Sequence, residues 1–238
     1  MEKFIPCSLC NNGYIYNRDS VQKCSCLKAY QKSVQIELGF SNAGVTDSTM
    51  PDLRNYKGQD TKNNLSKIWK YANGLSDKYA RNSHLYLVGP NGSQKTYTAK
   101  AIIKEAIEKG LSCKFILMND LIKKLTAIYE EGYSNSIDEY YNCDILVIDD
   151  CFDVKKVTLF KSGYQIPYLD EFLRKRIEQL GGNIIFTSNI EIEAINEDKF
   201  SKDIKNLLMR SIKDKGGELY FSDIYSSIED KEILSMWD

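Results

Sequence analysis

Two sets of residues in this chain have types and spacings that could do chemistry. The first is Gly89-Pro90-Asn91-Gly92-Ser93-Gln94-Lys95-Thr96, which follows the apolar run His84–Val88 and leads into a segment of helical periodicity. A strand, a glycine-rich turn and a helix start in that order place backbone N–H groups around phosphate oxygens. Lys95 is then spaced to reach β- and γ-phosphates, and Thr96 to offer a hydroxyl to Mg²⁺. Tyr97 closes this candidate nucleotide-binding stretch. The strict pattern has Gly immediately before the Lys, where this chain has Gln94, so a side chain and its φ/ψ demands enter the loop. A glycine-containing loop with an incidental Lys-Thr is the plain alternative. Two more strand ends argue against it. Asp149-Asp150 follow the apolar run Ile145–Ile148, with Asp149 spaced to hold Mg²⁺ and Asp150 to polarise an attacking water. Asn183–Ser188 ends beside Asn189, an amide suited to orienting a γ-phosphate or water. A solvated strand end explains Asp149-Asp150 alone, but not three such ends together.

The second set is Cys7, Cys10, Cys24 and Cys26, spaced C-x2-C-x13-C-x-C. Two close pairs suit a tetrahedral Zn²⁺, each pair offering two thiolates from one tight turn. Gly13 fits the backbone reversal beyond the first pair. Two disulfides or chance clustering are the alternatives, and a reducing compartment disfavours the disulfides. Cys113, Cys143 and Cys151 lie among apolar neighbours and read as core thiols.

The elements that must position these residues follow from periodicity. Residues 1–32 form the cysteine module. Residues 33–64 are polar and interrupted by Gly39, Gly44, Pro51 and Gly58, and read as a linker or docking segment. Residues 65–238 alternate strands and helices. The strands are His84–Val88, Cys113–Met118, Asp144–Ile148, Asn183–Ser188 and Glu218–Phe221. The helices are Thr96–Glu108, Leu121 to about Glu130 with Asn119 or Asp120 as cap, Pro167–Leu180, and one around Phe200–Lys213. This alternation predicts an α/β fold, a parallel sheet with helices on both faces. The 238 residues carry 32 Lys+Arg against 33 Asp+Glu, a net charge of −1. That excludes a protein coating nucleic acid by bulk charge, so any such contact needs a local patch. Lys123-Lys124, and Lys155-Lys156 with Lys161 and Tyr164, are small basic patches that equally fit solvated surfaces. No apolar run reaches the ~18 residues of a spanning helix, and MEKFIPCSLC lacks a secretory h-region. A soluble, cytoplasmic protein without membrane contact is expected.

On these motifs the chain resembles an AAA+ ATPase, and most nearly the replicative helicase loaders of the DnaC/DnaI type. The resemblance covers about residues 60–225. It is carried by GPNGSQKT as Walker A, by DILVIDD as Walker B with Asp-Asp for Asp-Glu, by NIIFTSN as sensor 1, and by LDEFLRKRIEQLGG upstream of it. A cysteine module ahead of the ATPase is similar to the DnaI-type arrangement. The resemblance implies an AAA+ P-loop NTPase core using ATP/ADP and Mg²⁺, with Lys95, Asp149, Asp150 and Asn189 catalytic. It implies that Arg210, in NLLMRSI, is an arginine finger reaching a neighbouring subunit's γ-phosphate, hence self-association through ATP sites. No sensor 2 arginine is evident in SDIYSSIED, and with Gln94 this implies slow, partner-stimulated hydrolysis. The implied function is ATP-dependent loading of a replicative hexameric DNA helicase, gripped by the zinc module, onto single-stranded DNA. An IstB-like transposition-associated ATPase shares this core but usually lacks the cysteines. A non-hydrolysing adaptor with a degenerate P-loop rests on Gln94 alone.

Overall fold

A computed structural model describes residues 3–45, 51–56, 64–75, 83–131, 137–155 and 165–221. Strands β1 (Tyr14–Asn17) and β2 (Ser20–Lys23) pair antiparallel as a hairpin between the two cysteine pairs. Helix α1 (Ser25–Ala43) follows directly and ends at Gly44, whose φ of 80° provides a left-handed cap. This corrects the linker reading for its first third. The chain stays helical through Ser33–Ala43, with Leu27, Ile36, Phe40 and Ala43 buried. Gly39 does not break the helix. A Cβ there would lie 2.5 Å from Ile107 Cγ2, so the missing side chain lets α1 approach its neighbour closely. Further along, Leu53 is 2% exposed within a short 3₁₀ turn (Leu53–Asn55), so this part of the expected linker is also packed.

The core is a five-stranded parallel sheet of β3 (Leu85–Val88), β4 (Cys113–Leu117), β5 (Ile145–Cys151), β6 (Asn183–Ser188) and β7 (Glu218–Tyr220), in the spatial order β4-β5-β6-β3-β7. Its side chains alternate between two cores, as a pleated strand buried on both faces requires. Leu85, Leu87, Ile145, Val147 and Ile185 face α1, α2 (Asn64–Gly74) and α3 (Lys95–Glu108). Tyr86, Leu146, Ile148, Ile184 and Phe186 face the other layer. That layer holds α4 (Met118–Glu131), α5 (Asp138–Asn142), α6 (Gln165–Arg174), α7 (Glu197–Phe200) and α8 (Lys202–Ser211). The predicted fold class is the observed one.

Several boundaries differ from the periodicity reading. Helix α4 begins at Met118, directly after β4, so Asn119 and Asp120 lie in its first turn rather than capping it. Helix α6 starts two residues before Pro167, a position where the missing N–H costs nothing, and its last turns, Lys175–Leu180, are π-helical. Fully buried Arg176 lies in that stretch, donating to the carbonyls of Cys143 (2.6 Å) and Asn183 (3.3 Å) and to that of Tyr141.

Candidate functional site

Three central strands, β3, β5 and β6, end side by side, and their C-terminal ends carry the polar groups singled out above. Open parallel sheets bind ligands at those ends. Gly89 leaves β3 with φ 157°, and a Cβ there would meet Phe221 O at 2.0 Å. Gln94, the N-cap of α3, holds φ 65° and ψ 20°, the left-handed conformation a glycine would take. The loop therefore keeps the glycine-type path despite the substitution. Lys95 is 8% exposed, and its ammonium donates to Gly89 O (2.9 Å), Pro90 O (2.7 Å) and Ser93 Oγ (3.3 Å). These loop oxygens use donors that β/γ-phosphate oxygens would take.

Strand β5 carries a bulge where the chemistry is. Ile148 pairs with Phe186 and Cys151 with Ser188, so Asp149 and Asp150 together oppose Thr187. Asp150 takes φ 55° there, and such a bulge re-aims side chains at a strand's end. Buried Asp149 accepts from Thr96 Oγ1 at 2.8 Å through Oδ1, which also accepts the Thr187 hydroxyl. Thr187 Oγ1 in turn accepts the Asp150 N–H at 3.2 Å. One hydroxyl therefore fixes both acidic residues, a role that the sequence reading missed. Its only signal was a threonine directly after the apolar run Ile184–Phe186. Asn189 Nδ2 donates to Asn91 Oδ1 at 2.9 Å, tying the end of β6 to the phosphate loop.

Two further candidate residues lie away from the phosphate loop's polar cluster. The Tyr97 hydroxyl accepts the Asp52 N–H and donates to Asp52 O, both at 3.0 Å. It anchors the segment around Leu53 to α3, leaving its backbone N–H, in the first turn of α3, as its means of meeting a phosphate. Arg210 is not in the chain's own loop. It lies in the last turn of α8 and pairs with Glu178 of the π-helical stretch, both partly exposed. Of the basic patches, Lys123 pairs with Asp120 at 3.0 Å and Lys124 lies over the Tyr140 ring. Lys156, Lys161 and Tyr164, and the segment searched for a sensor 2 arginine, lie outside the described residues.

At the other end of the chain, the four sulfurs of Cys7, Cys10, Cys24 and Cys26 lie within 4.8 Å of one another. The separations Cys7–Cys10, Cys7–Cys24 and Cys10–Cys26 are 3.7, 3.6 and 3.5 Å. Four thiolates ~2.3 Å from a zinc ion have edges of about 3.8 Å, so the donor set fits. The C-x-C half is not a second knuckle. Cys24 is the N-cap of α1 and Cys26 lies in its first turn, where the helix end favours thiolates. The Cys26 N–H lowers the Cys24 thiol to about 6, whereas desolvation and the Cys26 sulfur push Cys10 up to about 12.

With this geometry established, the family model described as IstB-like ATP binding protein matches residues 53–205, which span the phosphate loop, both aspartates and Asn189. The chain belongs to this family. The match ends before Arg210 and begins after the cysteine module, so neither is an assigned feature of the IstB-like domain. Among solved structures, the chain is similar to the DnaC helicase loader, with a TM-score of 0.57 and 20% identity over 73% of this chain and 96% of that one. DnaI gives 0.53 and 17% over 74% and 88%. AMPPCP-bound DnaA from Aquifex aeolicus gives 0.56 and 18% over 80% and 56%. At these identities the likeness is one of fold, that of the AAA+ P-loop ATPases. A comparison with curated proteins returned no match. Among the described residues no helix is long and apolar enough to cross a membrane.

Proposed function

We propose that this IstB-like chain is an ATP-dependent loader of a replicative hexameric DNA helicase onto single-stranded DNA. The observation that carries the reading is a four-cysteine cluster at the N-terminus of α1, the helix that packs against α3 of the core. The surrounding module leaves Ile5, Leu9, Tyr16 and Val21 at 60–82% exposure, apolar side chains available to a protein partner. In this reading Zn²⁺ holds the module together, since so short a segment has no core of its own. The module grips the helicase, and ATP state sets the grip.

The described geometry supports the following nucleotide chemistry for this reading. Backbone N–H groups of the Gly89–Thr96 loop and the start of α3 bind the phosphates, and Lys95 turns from its loop carbonyls to the β/γ oxygens. Mg²⁺ bound by Thr96 and Asp149 supplies charge neutralisation there. Asp150 orients and polarises the attacking water, Asn189 holds the γ-phosphate side, and Arg210 of a neighbouring subunit completes the site. Hydrolysis is slow until that neighbour or the helicase is present. A transposition-associated role remains the second reading, favoured by the family match itself. Affinity capture with zinc-loaded full-length protein separates the two. The replicative helicase is expected to be retained with ATP and lost on Lys95→Ala or on chelation of zinc. Retention of a transposase instead, with no helicase under any nucleotide condition, overturns the loader reading.

A further inference from the structure

A cavity of about 510 Å³ opens at the end of the sheet opposite the phosphate loop. It lies between α2 and the 3₁₀ turn Lys213–Lys215, at the N-terminal ends of β3 and β7. Its rim carries three ammonium groups, those of Lys67, Lys70 and Lys215, and among the described residues no carboxylate lines it. None of the three lysines forms an ion pair among the described residues, whereas the adjacent Lys213 is held by Glu193 and Glu218.

A buried donor lies in its wall. His84, the single histidine of the chain, lines the cavity and is 5% exposed. Its Nδ1 accepts the Ile184 N–H at 3.2 Å, which places the imidazole proton on Nε2. Among the described residues that Nε2–H has no acceptor, and it is not one of the atoms sealed from solvent, so it is open to a ligand in the cavity. Desolvation, with Lys215 and Arg176 nearby, holds the ring down to about 4, so at neutral pH it is an uncharged donor beside three cations.

Among the described residues, three ammonium groups without an ion pair, an imidazole N–H without an acceptor and a lining that holds no carboxylate together describe a receptor for a compact, multiply charged oxyanion. We propose that this cavity is a second phosphate-binding site, distinct from the nucleotide loop. Lysines recognise phosphate as point charges and the imidazole N–H supplies direction. The volume falls in the range of small-ligand sites, enough for more than one phosphate. The phosphate has two possible sources, a free phosphorylated molecule or the backbone of a nucleic-acid strand. The four residues of β3 separate the cavity from the phosphate loop by ~13 Å, so one phosphate group cannot touch both sites. The inference is independent of the helicase-loader reading.

The lone histidine makes the test specific. Full-length protein carrying ¹⁵N-histidine is titrated with pyrophosphate and, separately, with a short oligothymidylate at constant ionic strength, following the His84 Nε2 resonance. A saturable shift is expected, its midpoint raised about tenfold or more in Lys67→Gln/Lys215→Gln and the shift lost when Lys70→Gln is added. A response to pyrophosphate identifies a site for free phosphate species, and one to the oligonucleotide alone identifies a backbone site. ATP binding by the variants reports that the fold is intact. The proposal is overturned if neither probe shifts the resonance, if sodium chloride shifts it equally, or if the triple variant responds with the same midpoint.

Discussion

Gln94 is the residue at which this phosphate loop departs from the strict pattern, and it adopts the backbone that pattern needs. A left-handed conformation costs a non-glycine residue ~1–2 kcal/mol, and Gln94 makes no capping bond to α3 in return. Glycine is also the better N-cap, while its freer unfolded chain cancels part of the gain. Gln94→Gly is therefore expected to stabilise the fold by about 1 kcal/mol, read as a higher thermal midpoint, without weakening ATP binding. His84 makes the opposite kind of contribution. Its folded value is lowered from 6.5 to about 4 by desolvation first, then by Lys215 and Arg176, with Lys67 and Lys70 across the cavity. Between those values the unfolded chain takes up a proton that the folded chain refuses, so this group's effect is to reduce stability as pH falls from about 6.5 to about 4. The loss amounts to roughly 3 kcal/mol across that window. Replacing the sole histidine, His84→Gln, should flatten that part of the curve in denaturant titrations run at pH 4 to 7.

Helix α1 and the elements of the core differ in how visible they were. Strands β3, β5 and β6 announce themselves as continuous apolar runs because both of their faces are buried, and α3 has a full apolar stripe. Helix α1 buries only four residues in nineteen, and Gly39 resembles a breaker until its neighbour Ile107 is seen. Hairpin β1–β2 is exposed on every residue, so it leaves no alternation to read. The phosphate loop and Asp149-Asp150 were legible because their chemistry depends on local order. The Thr187 bridge was not, since it joins residues that only the sheet register brings together. Gly39 offers a test at this scale. Helix propensity alone predicts that Gly39→Ala gains ~1 kcal/mol. The new Cβ would lie 2.5 Å from a branch carbon of an isoleucine that is 5% exposed and has no room to swing away. Overpacking of that kind costs ~1–3 kcal/mol, so a net destabilisation is expected in thermal or denaturant unfolding. A stabilised variant would show that α1 is not seated on α3 as described.

At the level of the whole molecule, the three strand ends bring Lys95, Thr96, Asp149, Asp150 and Asn189 together in one chain, whereas the proposed role of Arg210 requires a neighbour. Arg210 rests against Glu178, an exposed pair worth at most ~1 kcal/mol, and is easily surrendered to a stronger anion. A guanidinium delivered to a transferring γ-phosphoryl group is worth several kcal/mol. ATPase activity per subunit is therefore expected to rise with protein concentration, and Arg210→Ala to remove that rise while sparing ATP affinity. Mixing Arg210→Ala with Lys95→Ala chains should restore part of the activity, since each supplies what the other lacks. Activity that is independent of concentration, with no rescue on mixing, would assign Arg210 to its surface pair alone. The strand order has a further consequence, in time rather than in space. Strand β3, the first of the core to be synthesised, pairs only with β6 and β7, and Leu85 finds its partner Ile185 a hundred positions later. During synthesis, then, both edges of the strand that launches the phosphate loop wait unpaired until most of the chain exists. Such distant pairing is slow to form and open to wrong partners meanwhile. Competence to hold nucleotide, in the proposed reading, thus waits on β6, and an interrupted chain ending before Asn183 lacks the strand that seats β3 beside β5.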